Sequence, residues 1–129
     1  RKREIGNKYC QSLNVYDNII LQLNKTEYAK NIYWIFGIVS KNTKYDADFF
    51  MSRLKENGIE TRHFFYPIHK QPALIKSKCC SAHQLDDSMF PNSNYISKYG
   101  FYIPCGVGIT EEEQEYVIQV VSKLLKEIS

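Results

Sequence analysis

The sequence predicts an α+β fold: a small, mainly antiparallel sheet of three or four strands covered by helices, with the first and last helices packed on it. Three observations carry this expectation. Residues 32–39 form a nearly unbroken apolar run rich in aromatic and β-branched side chains, as expected of a central strand buried on both faces. Residues 46–57 and 110–128 carry apolar side chains at helical spacing. Gly58 then separates the first of these helices from the alternating residues 59–64, a short return compatible with one sheet backed by helices.

Residues 1–13 read as a helix, with Ile5, Tyr9 and Leu13 recurring every four residues on one face and Gly6 as a mild weak point. The chain opens inside this helical pattern without a start signal, so a longer parent protein is expected. Residues 15–23 predict a short strand. Within the apolar run, Trp34, the one tryptophan, is expected first in the core, with ligand contact the lesser alternative. Gly37 marks a bulge or a close approach by another backbone. Residues 41–44 form a loop, and Thr43 or Asp46 caps the helix that follows. Ala47, Phe50, Met51 and Leu54 make its apolar face, and Gly58 ends it in the left-handed region.

Residues 59–64 return as a strand. Pro67 and Pro72, with fixed φ and no amide donor, stop regular structure where they stand. Residues 73–75 read as one helical turn and 76–89 as a loop that carries Cys79, Cys80 and His83. A short helix over 91–99 has Pro91 in its first turn and Gly100 at its end. Residues 101–104 form a strand and 105–108 a turn. Thr110 followed by Glu113 is a capping box, and Glu111, Glu112 and Glu113 suit the positive end of a helix dipole. Val117, Val120, Val121, Leu124 and Ile128 line one apolar stripe.

A length of 129 residues fits a single domain, and 43% hydrophobic with 14% aromatic residues excludes a disordered chain. Net charge is +3, from 17 basic and 14 acidic residues that are mostly dispersed, so no nucleic-acid partner is expected. No apolar run approaches the roughly 20 residues of a membrane-spanning helix, and no membrane partner is expected. Cys10, Cys79, Cys80 and Cys105 lack metal-ligand spacing, so no metal site is expected. With no signal peptide, four reduced thiols in a cytoplasmic protein is the simplest reading.

The densest chemistry lies at 58–73, G-I-E-T-R-H-F-F-Y-P-I-H-K-Q-P-A. Arg62, His63, Phe64, Phe65, Tyr66 and His69 crowd around two prolines. A cation, two imidazoles and three rings at a strand-to-loop junction suit a ligand-contacting surface. Taken singly, each ring reads first as core at a strand end. The ring-Pro-x-His cluster as a whole reads as a rim.

In chain order, Y-W-I-F at 33–36, G-I-E-T-R at 58–62, F-F-Y-P-I-H at 64–69, Q-P at 71–72, F-P-N-S at 90–93, G-F-Y-I-P at 100–104 and G-I-T-E-E-E at 108–113 cover most of the chain. This set resembles the C-terminal small domain of the DegT/StrS family of pyridoxal-phosphate-dependent nucleotide-sugar aminotransferases, in its perosamine-synthase-like form. The resemblance implies the fold of the C-terminal domain of fold-type I aminotransferases. Residues 1–14 would be the helix connecting it to a large domain that binds pyridoxal 5'-phosphate. No catalytic or cofactor-binding residue is then expected here, neither Lys70 nor Lys76 is a candidate cofactor lysine, and the isolated chain is expected to be inactive. The full enzyme would move an amino group from glutamate to a nucleotide-linked keto-sugar, as a homodimer serving surface-polysaccharide or O-antigen synthesis.

The same resemblance implies substrate-binding roles. Arg62 would pair with a diphosphate through its planar fork, or stand as a sheet-edge arginine. Phe65 and Tyr66 would pack on the sugar or nucleotide, and Pro67 would hold them rigid. His69 would donate to a sugar hydroxyl or diphosphate oxygen, or bond the backbone. His63 departs from the proline or small residue that related enzymes often carry. The alternative is a self-contained ferredoxin-like module that binds a small ligand or dimerises. The first helix separates the two: a fragment should leave the face at Ile5 and Tyr9 uncovered, and a complete module should bury it.

Overall fold

The apolar runs build the two inner strands of the sheet, and the rest of the chain is arranged around them. In the computed structural model, which describes residues 1–77 and 86–128, the order is α1 (Lys2–Leu13), β1 (Ile19–Leu21), β2 (Phe36–Ser40), α2 (Ala47–Glu56), β3 (Arg62–His63), α3 (Pro72–Ser77), α4 (Pro91–Tyr99), β4 (Gly100–Ile103) and α5 (Glu111–Glu127). Two 3₁₀ turns, Ile68–Lys70 and Asp87–Met89, flank α3 and α4. The four strands pair antiparallel throughout in the order β1-β2-β4-β3. The expected α+β sheet backed by helices is therefore observed. Cys79, Cys80 and His83 lie outside the described residues.

Strand alternation sorts the side chains. Phe36 and Ile38 of β2, with Phe101 and Ile103 of β4, point to one face and are buried. That face receives α1, α2 and α5. Tyr9 packs on Phe36 with ring centroids 4.9 Å apart, and Phe50 stacks on Phe101 at 5.1 Å. Burying rings of this size contributes roughly 1.5–3 kcal/mol each. The opposite face carries Gly37, Val39, Gly100 and Tyr102 and is partly covered by α4, whose Tyr95 hydroxyl donates to the Ser40 carbonyl at 2.8 Å.

Helix ends follow their residues. Asp46, one of the two expected caps, accepts from the Phe49 amide at 3.1 Å, and Gly58 ends the segment at φ 72°. Thr110 and Glu113 form the reciprocal capping box of α5. Pro91 opens α4, and Pro72 opens α3 at the first position of a helix, where a missing amide costs nothing.

The expected open face of α1 is a correction. Ile5, Tyr9 and Leu13 are all buried. The helix lies over the sheet beside α5, where Gln114 Nε2 donates to the Ile5 carbonyl at 2.8 Å and the Tyr9 hydroxyl donates to the Pro104 carbonyl at 2.7 Å. The face seats on the chain's own core, the outcome expected of a self-contained module. Burial also pushes the Tyr9 hydroxyl pKa well up.

Gly6 is a contact point. A Cβ there would fall 2.2 Å from Cγ of the Tyr33 ring. The ring is buried and its hydroxyl meets Cys10 Sγ at 3.4 Å. Gly6→Ala is expected to destabilise the chain by about 1–2 kcal/mol, because overpacking of about 1–3 kcal/mol outweighs a helix-propensity gain of up to about 1. Urea unfolding measures this; a variant as stable as the parent would show that the ring moves freely.

The strands are shorter than expected. Residues 59–61 do not pair, although Ile59 is buried. Extending the β3–β4 ladder would set residue 60 opposite Pro104, which has no amide to donate.

Candidate functional site

Tyr33 decides which rings face outward. Alternation would place Trp34 on the same face as Phe36 and Ile38, in the core. Tyr33 instead adopts φ 53°, in the left-handed region that non-glycine residues rarely enter, with its amide donating to Asn31 Oδ1 at 2.7 Å. The break in alternation turns Tyr33 inward and Trp34 outward. Trp34 is 64% exposed, which corrects its expected place in the core.

Outside, Trp34 meets the rim predicted at 62–69. Its ring stacks on Phe65 with centroids 6.1 Å apart and 16° between planes. Phe65 meets Tyr102 edge-on at 5.9 Å, and Phe64 meets Tyr102 at 4.6 Å. Phe64 is the member that packs inward. A Cβ at Gly37 or at Gly100 would lie 2.3 Å from its ring, so the two glycines make the slot it fills. Gly37 thus marks close approach by a ring, in place of the expected bulge or backbone approach.

The five predicted site residues separate by environment. Phe65 and Tyr66 are exposed, at 66% and 55%. Arg62 is exposed on the edge strand β3, opposite Tyr102, and its guanidinium makes no ion pair among the described residues. Pro67 is buried at the foot of the loop. His69 turns inward: its side chain is 5% exposed, its ring stacks on Phe90 at 4.3 Å, and its Nε2 lies 3.0 Å from Asp87 Oδ1. His63 pairs with Asp48 of α2 at 3.1 Å, away from the rim.

Beside the rings lies an open groove of about 280 Å³ whose walls include Ile35, Glu60, Thr61, Arg62, Tyr102 and Pro104. The Tyr102 hydroxyl is shielded and makes no hydrogen bond of good geometry among the described residues; burial raises its pKa, and the nearby Phe65 backbone offsets this only in part. A larger groove of about 370 Å³ adjoins it at Glu60 and Pro104 and runs to Tyr116. Its polar walls are acidic, and Glu113 is engaged in the capping box. The smaller groove joins Arg62, which makes no ion pair among the described residues, to the Tyr102 ring, with Glu60 on the same wall, which suits a ligand carrying both a flat apolar surface and an anionic group.

Three neighbours of the rim were not singled out as site candidates by sequence: Trp34, expected first in the core with ligand contact the lesser alternative, Tyr102 inside a strand, and Asp87 in a polar loop. Asp87 binds Lys70 Nζ at 2.8 Å as well as His69. The Lys70 hydrogen bond foremost, with His69, holds its carboxyl below the usual carboxylate range. A depressed folded-state pKa means the tie holds above the ordinary carboxylate pKa and is lost as pH falls through the folded value. Lys70 is engaged in this pair, and Lys76 is exposed.

The chain is similar to known proteins in sequence and in fold. GDP-perosamine synthase from Vibrio cholerae is 26% identical over 122 residues, covering 93% of this chain and 30% of that protein. EpsN of Bacillus subtilis, whose name assigns it to the pyridoxal phosphate-dependent aminotransferases, is 29% identical over 128 residues, covering 96% and 30%. The chain thus spans about a third of the length of these relatives. Among solved structures, DesV from S. venezuelae, seen with a ketimine intermediate, has the same fold with a TM-score of 0.81 at 17% identity, over 98% of this chain and 31% of that one. The sequence profile of the DegT/DnrJ/EryC1/StrS aminotransferases matches residues 1–122, and the chain belongs to that family.

Proposed function

We propose that residues 1–129 are the C-terminal small domain of a pyridoxal-phosphate-dependent aminotransferase, with residues 1–14 as the connecting helix. The full enzyme transfers an amino group, from glutamate, to a nucleotide-linked keto-sugar. It works as a cytoplasmic homodimer in surface-polysaccharide or O-antigen synthesis. Pyridoxal 5'-phosphate supplies the chemistry of amino transfer and is held by the large domain. This chain contributes binding: Arg62 attracts the diphosphate, Phe65 and Tyr66 pack on the sugar or nucleotide, Pro67 stiffens their loop, and His69 supports it from below. Trp34 extends the ring surface.

The observation that carries the proposal is the outward stack of Trp34 and Phe65 beside Arg62, which makes no ion pair among the described residues, on a chain that matches the family over residues 1–122. The sugar nucleotide in the name of the Vibrio cholerae relative supports the substrate class. The test is steady-state kinetics of the full-length enzyme with a nucleotide-linked keto-sugar and glutamate. Phe65→Ala combined with Tyr66→Ala is expected to raise KM about tenfold, from the loss of about 1–3 kcal/mol of ring contact. Unchanged kcat and KM would remove the rim from the site.

The buried face of α1 favours a second reading, the self-contained binding or dimerisation module. Supplying the 129-residue chain with cofactor, glutamate and sugar nucleotide distinguishes them. A small domain shows no turnover, and a module binds its ligand at full affinity without the remaining sequence.

A further inference from the structure

The rim needs a foundation, because loops hold exposed rings only where their backbone is fixed. At its start the loop is held by the β3–β4 pairing and by Phe64 in the slot above Gly37 and Gly100. At its end the backbone bonds are local, from Lys70 to the Pro67 carbonyl and from Gln71 to the Ile68 carbonyl, both at 3.0 Å. Local bonds shape the turn but do not fix its place on the protein.

One carboxylate ties this end of the loop to the rest of the fold. Asp87 Oδ1 lies 3.0 Å from His69 Nε2, and Asp87 Oδ2 lies 2.8 Å from Lys70 Nζ. Its carbonyl accepts from Asn94 Nδ2 of α4 at 2.8 Å. Phe90, three residues on, stacks on the His69 ring at 4.3 Å. Helix α4 is itself fastened to the sheet by Tyr95. Asp87 therefore links His69, the last residue of the rim, and the adjoining Lys70 to a helix anchored under β2.

We propose that Asp87 is a positioning residue for substrate binding: acting through His69 and Lys70, it sets where Phe65 and Tyr66 stand without touching substrate itself. The role rests on the reading of this rim as a substrate wall. It also defines what His69 does. The imidazole is closed off between Phe90 and Asp87, so it serves the loop from inside while the rings face the ligand.

Two measurements test this, and they fail separately. In the 129-residue chain, Asp87→Ala is expected to move the backbone amide NMR signals of residues 64–70 and leave those of α1 and α5 in place. In the full-length enzyme the same change is expected to raise KM for the sugar nucleotide about fivefold with kcat unchanged, and Asp87→Glu to restore most of the loss. Lys70→Met, which cuts one arm at the surface, gives a smaller shift of the same signals and serves if Asp87→Ala does not fold. Unmoved signals, or a Glu variant as poor as the Ala variant, would overturn the positioning role. Moved signals with an unchanged KM would overturn the substrate reading on which it rests.

Discussion

Phe101→Ala is expected to cost the fold about 3–5 kcal/mol, the range for truncating a fully buried phenylalanine. The ring is 1% exposed and stacks on Phe50 of α2. It sits on an inner strand, with Ile38 across from it on β2 and His63 on β3. The protein interior is close-packed, so the lost ring leaves a cavity that neighbours on three elements cannot all collapse to fill. Against a typical domain stability of about 5–15 kcal/mol, this takes a large share. Phe101→Leu keeps most of the volume and is expected to cost under about 1.5 kcal/mol. Urea unfolding of the two variants gives the comparison. Equal losses would mean that ring stacking, not filled volume, matters at this position.

On the proposed function, Arg62→Ala is expected to have the largest effect, a rise in KM for the sugar nucleotide of about 10- to 100-fold in the full-length enzyme. That range corresponds to about 1.5–3 kcal/mol for hydrogen bonds to a charged group. The guanidinium is exposed, makes no ion pair among the described residues, and lines the groove that Tyr102 also lines. An arginine already paired within the chain would have little to offer a ligand; this one does. Arg62→Lys keeps the charge but loses the planar fork, so it is expected to recover only part of the affinity. Stability should change by less than about 0.5 kcal/mol, as for most surface positions. A KM unaffected by Arg62→Ala would return the residue to its other reading, a sheet-edge arginine.

The two expectations draw on different kinds of legibility. The buried place of Phe101 follows from an apolar strand that stops at a proline. Arg62 was legible as a candidate because an arginine beside three rings and two prolines is an unusual local composition. What could not be read was the company it keeps. Trp34 sits in a run of residues that all look like core, and one left-handed residue, Tyr33, reverses its direction. Gly6 and Gly37 were read as a propensity loss and a backbone irregularity. Each is a space reserved for a ring from elsewhere in the chain.

By itself the sequence determined the period of each element, the caps at Asp46, Gly58 and Thr110, and the rim as a cluster of chemistry. These depend on residues within a few positions of one another, where propensity and hydrogen-bond capacity act directly. The tertiary structure decided which rings face water and which residues hold them there. His69 and Asp87 are separated by 18 residues, and a carboxylate meets an imidazole across that gap only because α4 returns under the sheet.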